Sequence, residues 1–392
     1  MKRSIFLFAF VATLCTGIGL TQTGDVKTKP SATTKPSSSP IAYLYVSSGS
    51  SIYGYNESAA GGLTPIAGSP FAGTVGPMTV NGNYLFGVDN NGAAIDSFRI
   101  ESNGALEQVA SLNVARSDPN ASGVIDIFLD KTGATLYATS TDGDDNQQLL
   151  SYTIEKSTGE LTFIGQVDGL PGPPGTTGIE YYPPKFLGTD KFLYAGSQQS
   201  IAAWQRQSNG ALALGPTGAP LPETPPGYVA DMGEIAAADP TNHLAFTFTA
   251  HKGSPGGTKY GAEQLVSYTA DAHGNLTTES TYKNSPMDSV NGYAHNLVSS
   301  PSGKLLAVSG PAGIQVFHFN GGSPITKYTG LLIKGVVYDF RWDNYNHLVA
   351  FNYSTGHLHI FTVTPTEVSE VPGSPFTLAS GYGPITIQNL PR

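Results

Sequence analysis

A chain of 392 residues with a formal charge of −9 and only 12% charged residues, against roughly 25% in an ordinary soluble protein, can hold one large domain or several ordinary ones. Gly, Ser, Thr and Tyr are plentiful and helix-favouring Glu, Lys and Arg scarce, a balance that favours strands and turns. With no basic stripe to neutralise phosphates, nucleic acid is excluded as a partner and a neutral or cationic ligand fits better; a single cysteine, Cys15, excludes an intrachain disulfide and leaves stability to packing.

The chain opens on Lys2 and Arg3 followed by "IFLFAFVATLC", the order of an export signal and too short for a permanent membrane span. Residues 1–20 are expected to be a signal peptide, 21–40 a Ser/Thr/Pro-rich linker and 41–392 the folded domain. The protein is then exported: periplasmic, anchored to the outer membrane or extracellular. Membrane contact is expected only through lipidation of Cys15, with 21–40 as its tether. Against lipidation, Leu14 is large where such signals prefer Gly or Ala, and ordinary cleavage between Gly17 and Thr21 is the alternative. A monomer is expected.

Beyond the linker one pattern recurs seven times: a β-rich run ending in small residues, a Gly/Ser/Asn turn, a strand centred on an aromatic, and a Gly-x-Leu turn into a third strand. It reads "YLYVSSGSSIYGYNESAAGGLTPIAG" from Tyr43, "YLFGVDNNGAAIDSFRIESNGALEQVA" from Tyr84 and "TLYATSTDGDDNQQLLSYTIEKSTGELTFIG" from Thr135. The fourth copy is "FLYAGSQQSIAAWQRQSNGALALG" from Phe192, and the fifth, from His243, carries a long insertion between its first two strands. Looser copies start at Lys304 and His347.

One further short strand precedes most copies, such as "HNLVSS" before Lys304 and "EIAAAD" before His243. Four-stranded units in radial array are propeller blades, so the fold class is all-β, a seven-bladed β-propeller. The C-terminal "GPITIQN" from Gly383 has this extra-strand character with no blade after it, while the first copy lacks a strand before Tyr43. The chain's last strand is therefore expected to complete its first blade, leaving no open sheet edge at the ring's junction. "AGSPF" at Ala67 recurs as "PGSPF" at Pro372, a turn whose Phe packs between blades.

Innermost strands line a propeller's channel, so the residues that begin them are the candidates for chemistry. Counting ten residues back from the central leucine of each following strand selects Asp126, Glu234, His295 and Tyr338, and the local pattern "GIEYY" adds Glu180. These are expected to converge on one channel mouth, with Asp339 and Arg341 nearby. Carboxylates gathered there would repel one another, so a divalent cation or a raised carboxyl pKa resolves the cluster. The longest connecting loops, around 168–178, 219–231, 250–263 and 283–294, fall on the same face, which reads as a binding face. There is no Gly-x-Ser-x-Gly elbow or phosphate loop, which argues against a covalent nucleophile.

The strand, "NGAL" and "GSPF" repeats, with "AHNLVSSPSGKLLAV" from Ala294, resemble the seven-bladed lactonase family, which includes 6-phosphogluconolactonase-like proteins and carboxy-muconate cyclases. The resemblance covers nearly all of residues 41–392. Ala294 stands where the family has Pro, and Ser302 where it has Asp; His295 and Gly303 are retained. It implies a propeller and an exported hydrolase of a lactone or sugar lactone. In that reading His295 or Glu234 is the general base and Arg341 stabilises charge on the carbonyl oxygen, while Asp126, Glu180 and Asp339 hold the ligand. Only His295 carries over with a matching motif; Glu180, Glu234 and Arg341 are placed by register. The competing expectation is a non-catalytic propeller whose loop face binds a glycan, a cation or an envelope protein.

Overall fold

The computed structural model describes residues 39–73, 75–114, 121–142, 147–168, 184–197, 200–252, 260–279, 287, 293–378 and 383–391. Among them the strands form seven antiparallel sheets, the expected seven-bladed propeller. The innermost strands are Val75–Val80, Ala121–Leu129, Lys185–Phe186, Tyr228–Ala238, Asn296–Ser299, Phe340–Trp342 and Ile385–Asn389. Residues 1–38, with the signal, Cys15 and nearly all of the linker, lie outside the described residues, as do much of the loops around 168–178, 250–263 and 283–294.

Burial follows the position of a strand within its blade. Second strands such as Ala42–Ser48, Phe192–Ser197 and Leu305–Gly310 are sandwiched between neighbouring blades and buried almost without interruption, which is why they read as unbroken apolar runs. Third strands such as Ser51–Glu57 alternate buried and half-buried residues, and the outer strand Leu106–Asn113 mixes half-buried and exposed residues with none buried.

The ring closes as anticipated. Ile385–Asn389 lies between Phe340–Trp342 and Val75–Val80 and pairs with the first blade from Ala42↔Asn389 to Val46↔Ile385. Amides extend that ladder at both ends, from Ser47 N to Pro384 O at 3.1 Å and from Leu390 N to Ile41 O at 2.9 Å. Only glycine fits just before the closing strand, because a Cβ on Gly383 would lie 1.8 Å from the Ser47 carbonyl oxygen.

The Gly-x-Leu turns do more than reverse the chain. Tyr45 Oη donates to Gly104 O at 2.8 Å, Tyr137 Oη to Gly210 O at 2.7 Å and Tyr194 Oη to Gly274 O at 2.7 Å. In each case a second-strand tyrosine reaches the turn of the following blade, so the repeated Tyr and Gly form one blade-to-blade clasp. Both Gly-Ser-Pro-Phe turns carry a cis Ser–Pro peptide, and the pairs Phe71–Ala72 and Phe376–Thr377 that follow dock on third strands of their own blades.

At the far end of the inner strands a turn residue accepts from the returning backbone. Asp130 Oδ1 takes Ala134 N at 3.0 Å, Asp239 Oδ1 takes His243 N at 3.1 Å and Asp343 Oδ1 takes His347 N at 2.6 Å, the local bonding that makes Asp a turn residue. Asp130, with a fully buried side chain, is also met by Arg206 of the next blade at 2.5 Å. Asp130→Ala is expected to lower unfolding free energy by about 3–5 kcal/mol, because it strands a guanidinium and two amides. Urea unfolding checks this, and a loss under about 1 kcal/mol would show the pair to be dispensable.

Candidate functional site

At one end of the channel the inner strands enclose a cavity of about 450 Å³ lined by Asp126, Lys185, His295, Asn296, Asp339 and Arg341. Apolar side chains, Met78, Phe128, Ile235 and Val298, fill the spaces between them, and Tyr338 and Tyr353 form one wall. Five residues singled out from the sequence, Asp126, His295, Tyr338, Asp339 and Arg341, thus do meet in one place. Glu180 lies outside the described residues. Glu234 belongs to the strand Tyr228–Ala238 but its side chain is not among those described, and it is Ile235 that lines the cavity.

The levels differ from the simple count. Asp126 pairs with Thr139, Asn296 with Ser309, and Asp339 O accepts from Phe351 N. Each of the three also turns its side-chain Oδ1 back onto the next amide, at 2.7 Å on Ile127, 2.9 Å on Leu297 and 2.9 Å on Phe340. These three are the true equivalents, and His295 and Tyr338 sit one residue nearer the rim. The turn closed by Asp343 N on His347 O is one residue shorter than those closed by Asp130 N on Thr135 O and Ser300 N on Leu305 O. A fixed count from a leucine therefore slips by one at Tyr338, while at His295 it slips because Leu306, not Leu305, pairs as Leu136 does; in a strand one residue changes the face.

Two residues deeper stand the cations. Lys185 pairs with Tyr194 and Arg341 with Val349, each partner following its blade's central leucine, so the two side chains occupy the same level in the fourth and seventh blades. The sequence reading missed Lys185. Arg341 lies seven residues before Leu348 but Lys185 eight before Leu193, because the turn closed by Leu187 N on Phe192 O is one residue longer than that closed by Asp343 N on His347 O, so the same count lands on Phe186.

Asp339 is committed to holding this end together. Its Oδ1 accepts from Arg341 Nη1 and from Asn296 Nδ2 at 3.1 Å, and its Oδ2 from Ile385 N at 2.8 Å. It orients Arg341 while tying the sixth, seventh and first blades together. Asp126 is less engaged: apart from the Ile127 amide, no hydrogen bond to its carboxylate occurs among the described residues. Burial pushes its pKa up to about 6, reinforced by Asp339 and opposed by the Ile127 amide, Lys185 and Arg341. Burial and the neighbouring Arg341 guanidinium lower the Lys185 pKa, against the pull of Asp126 and Asp339.

His295 is 6% exposed, and its Nδ1 donates to Val337 O at 3.2 Å, which leaves Nε2 as the acceptor. Burial lowers its pKa, with the Val337 carbonyl opposing. Its ring stacks on Tyr338 at 4.2 Å and meets the edge of Tyr293 at 5.1 Å. The imidazole is thus neutral at neutral pH and held in one orientation.

The site therefore offers a desolvated carboxylate, two cations and a neutral imidazole around one solvent-filled space. At the mouth no three metal-ligating side chains come together among the described residues; the one such group they contain lies elsewhere. Burial raises the Asp126 carboxyl pKa, and Lys185 and Arg341 bring the protein's own positive charges to the cluster.

No family model and no curated protein sequence matches the chain. Solved structures do. A protein of Bacteroides fragilis named a "putative 6-phosphogluconolactonase" superposes with a TM-score of 0.57 at 13% identity, covering 90% of this chain and 99% of that one. One of the same name from Bacteroides uniformis gives 0.56 at 13%, covering 88% and 99%. A Lactobacillus plantarum protein with no function in its name gives 0.60 at 15%, also covering 88% and 99%. At such identities the likeness establishes the seven-bladed propeller fold alone.

Proposed function

We propose that the channel-mouth cavity binds a lactone, a sugar lactone in the first instance, and opens it by hydrolysis. The observation that carries this reading is the Asp126 carboxylate, raised to about 6, sharing one cavity with Lys185 and Arg341. Asp126 takes a proton from water as the oxygen attacks the carbonyl carbon, and Lys185 and Arg341 stabilise the charge that forms on the carbonyl oxygen. Collapse breaks the ring C–O bond, and protonated Asp126 returns its proton to the departing alkoxide. The product is a hydroxy acid whose carboxylate faces the two cations.

Asp126 is put forward as general base ahead of His295 because its carboxylate shares the cavity with Lys185 and Arg341 and, unlike that of Asp339, accepts only from the Ile127 amide among the described residues. His295 is given the smaller part of accepting a hydrogen bond from a substrate hydroxyl through Nε2. The names of the structural neighbours are consistent with this substrate class, and an export signal would place the reaction outside the cytoplasm. The test is pH-stat hydrolysis of a panel of aldonolactones: if none is opened faster than in buffer, the reading fails. With a substrate in hand, His295→Gln is expected to raise KM about tenfold and leave kcat within about threefold; an equal loss in kcat would make His295 the base.

A second reading has its own support. Tyr293 is 62% and Tyr338 48% exposed, and they flank His295 at the rim, an aromatic platform that suits a sugar ring. Sugars that quench tyrosine fluorescence without being turned over would favour this glycan-binding role.

A further inference from the structure

The turn aspartates recur from blade to blade, but their partners do not, and one junction carries the wrong charge. At the third–fourth junction Asp130 is met by Arg206, the last residue of the strand Ser200–Arg206. At the seventh–first junction the corresponding place, the last residue of Ser51–Glu57, is Glu57, and it faces Asp343 and His347. A cation on the first junction becomes a second carboxylate on the other. The Glu57 and Asp343 side chains are 0% exposed and that of His347 3%.

His347 Nδ1 lies 3.0 Å from Glu57 Oε1 and 2.9 Å from Asp343 Oδ2, and one donor atom from each residue lies within 4.8 Å of the others. A single imidazole N–H points at a single acceptor, here Glu57 Oε1. Glu57 Oε2 and Asp343 Oδ2 are left buried without a hydrogen bond, a costly arrangement for carboxylate oxygens. A protonated imidazole cancels one of two buried negative charges; a divalent ion cancels both.

We propose that Glu57, Asp343 and His347 form a zinc site that staples the first blade to the last. One Glu57 oxygen, Asp343 Oδ2 and His347 Nδ1 supply three donors of the N/O type zinc takes, and bonds of about 2.0–2.2 Å need only small movements from these separations; the second Glu57 oxygen is a longer contact, and a water completes the tetrahedron. Asp343 is already aimed, because its Oδ1 accepts from Tyr345 N at 2.8 Å and His347 N at 2.6 Å, the outer support expected of a ligating carboxylate. The His347 N–H proton leaves as the ion enters. The sister turn Asp239–His243 lacks the second carboxylate among the described residues and is more exposed, so it serves as an internal control.

The full chain, stripped with chelator and dialysed against micromolar ZnCl₂, is expected to retain one zinc per chain and to melt several degrees higher than the stripped protein. Glu57→Gln should reduce bound zinc at least tenfold and abolish that rise in Tm, while His243→Ala keeps both. Zinc X-ray absorption on the unaltered chain needs no variant and should show one imidazole among oxygen donors. The proposal is overturned if the chain retains less than about a tenth of a zinc, if zinc leaves Tm unchanged, or if absorption shows two imidazoles, as binding at His357 and His359, alternate half-buried residues of the strand His357–Val363, would give.

Discussion

Asp126→Asn is expected to cut lactone hydrolysis by about 10²–10⁴-fold and, at the same time, to make the protein more stable. The wild-type kcat/KM should rise with pH and level off above about 6 as the carboxylate ionises, and the variant should lose that limb. The stability effect has the opposite sign to that of an ordinary salt-bridged aspartate. A folded-state pKa above the unfolded value stabilises the fold below the unfolded pKa, and that contribution is lost as pH rises through about 6. At neutral pH ionised Asp126 therefore destabilises the fold, by about 1–2 kcal/mol after allowance for solvent in the cavity. Removing the charge removes that cost. Parallel rate measurements and urea unfolding at pH 7.5 check both halves. An unchanged rate would show that Asp126 is channel lining, and a less stable variant would show that its role is structural.

Ending the chain at Pro384 should abolish cooperative unfolding or lower stability by more than about 5 kcal/mol, comparable to the whole stability of many domains. The truncation removes Ile385, 0% exposed, and Ile387, 8% exposed, each worth about 2–5 kcal/mol by analogy with large-to-small core substitutions. It also opens the ladder from Ala42↔Asn389 to Val46↔Ile385 and leaves the second strand of the first blade as an exposed edge. A thermal melt followed by circular dichroism measures the loss, and a peptide spanning 385–392 should partly restore the transition by adding back the strand. Because Ile385 N donates to Asp339, which orients Arg341, the same truncation should disable the cavity. A truncated chain that melts like the full one would show that closure contributes little.

The repeats made the blades legible because each must bury the same faces against its neighbours: the runs from Tyr43, Phe192 and Lys304 are unbroken apolar strands for that reason. The closing strand was legible as a leftover, a single extra strand at one end matching a missing one at the other. At the mouth, Asp126, His295, Asp339 and Arg341 were identified and Lys185 was not. The reason is geometric: turns of unequal length after Phe340–Trp342 and Ala121–Leu129 break a fixed count, and each slip of one residue changes the face of the strand that a side chain occupies.

By itself, then, the sequence determined the all-β class, the number of blades and the way the ring shuts, since these follow from periodicity and from the need to leave no strand edge unpaired. Only the tertiary structure decided which carboxylate is free and which is committed. Asp126 and Asp339 hold equivalent places in the inner layer, but Asp339 is surrounded by donors from three blades, whereas Asp126 faces the cavity with the Ile127 amide alone among the described residues. The same holds for Glu57 and Arg206, chemically opposite residues at one repeat position, whose meaning depends on which turn aspartate the neighbouring blade brings against them. Desolvation and charge pairing depend on distances across blades, and those distances exist only once the ring has closed.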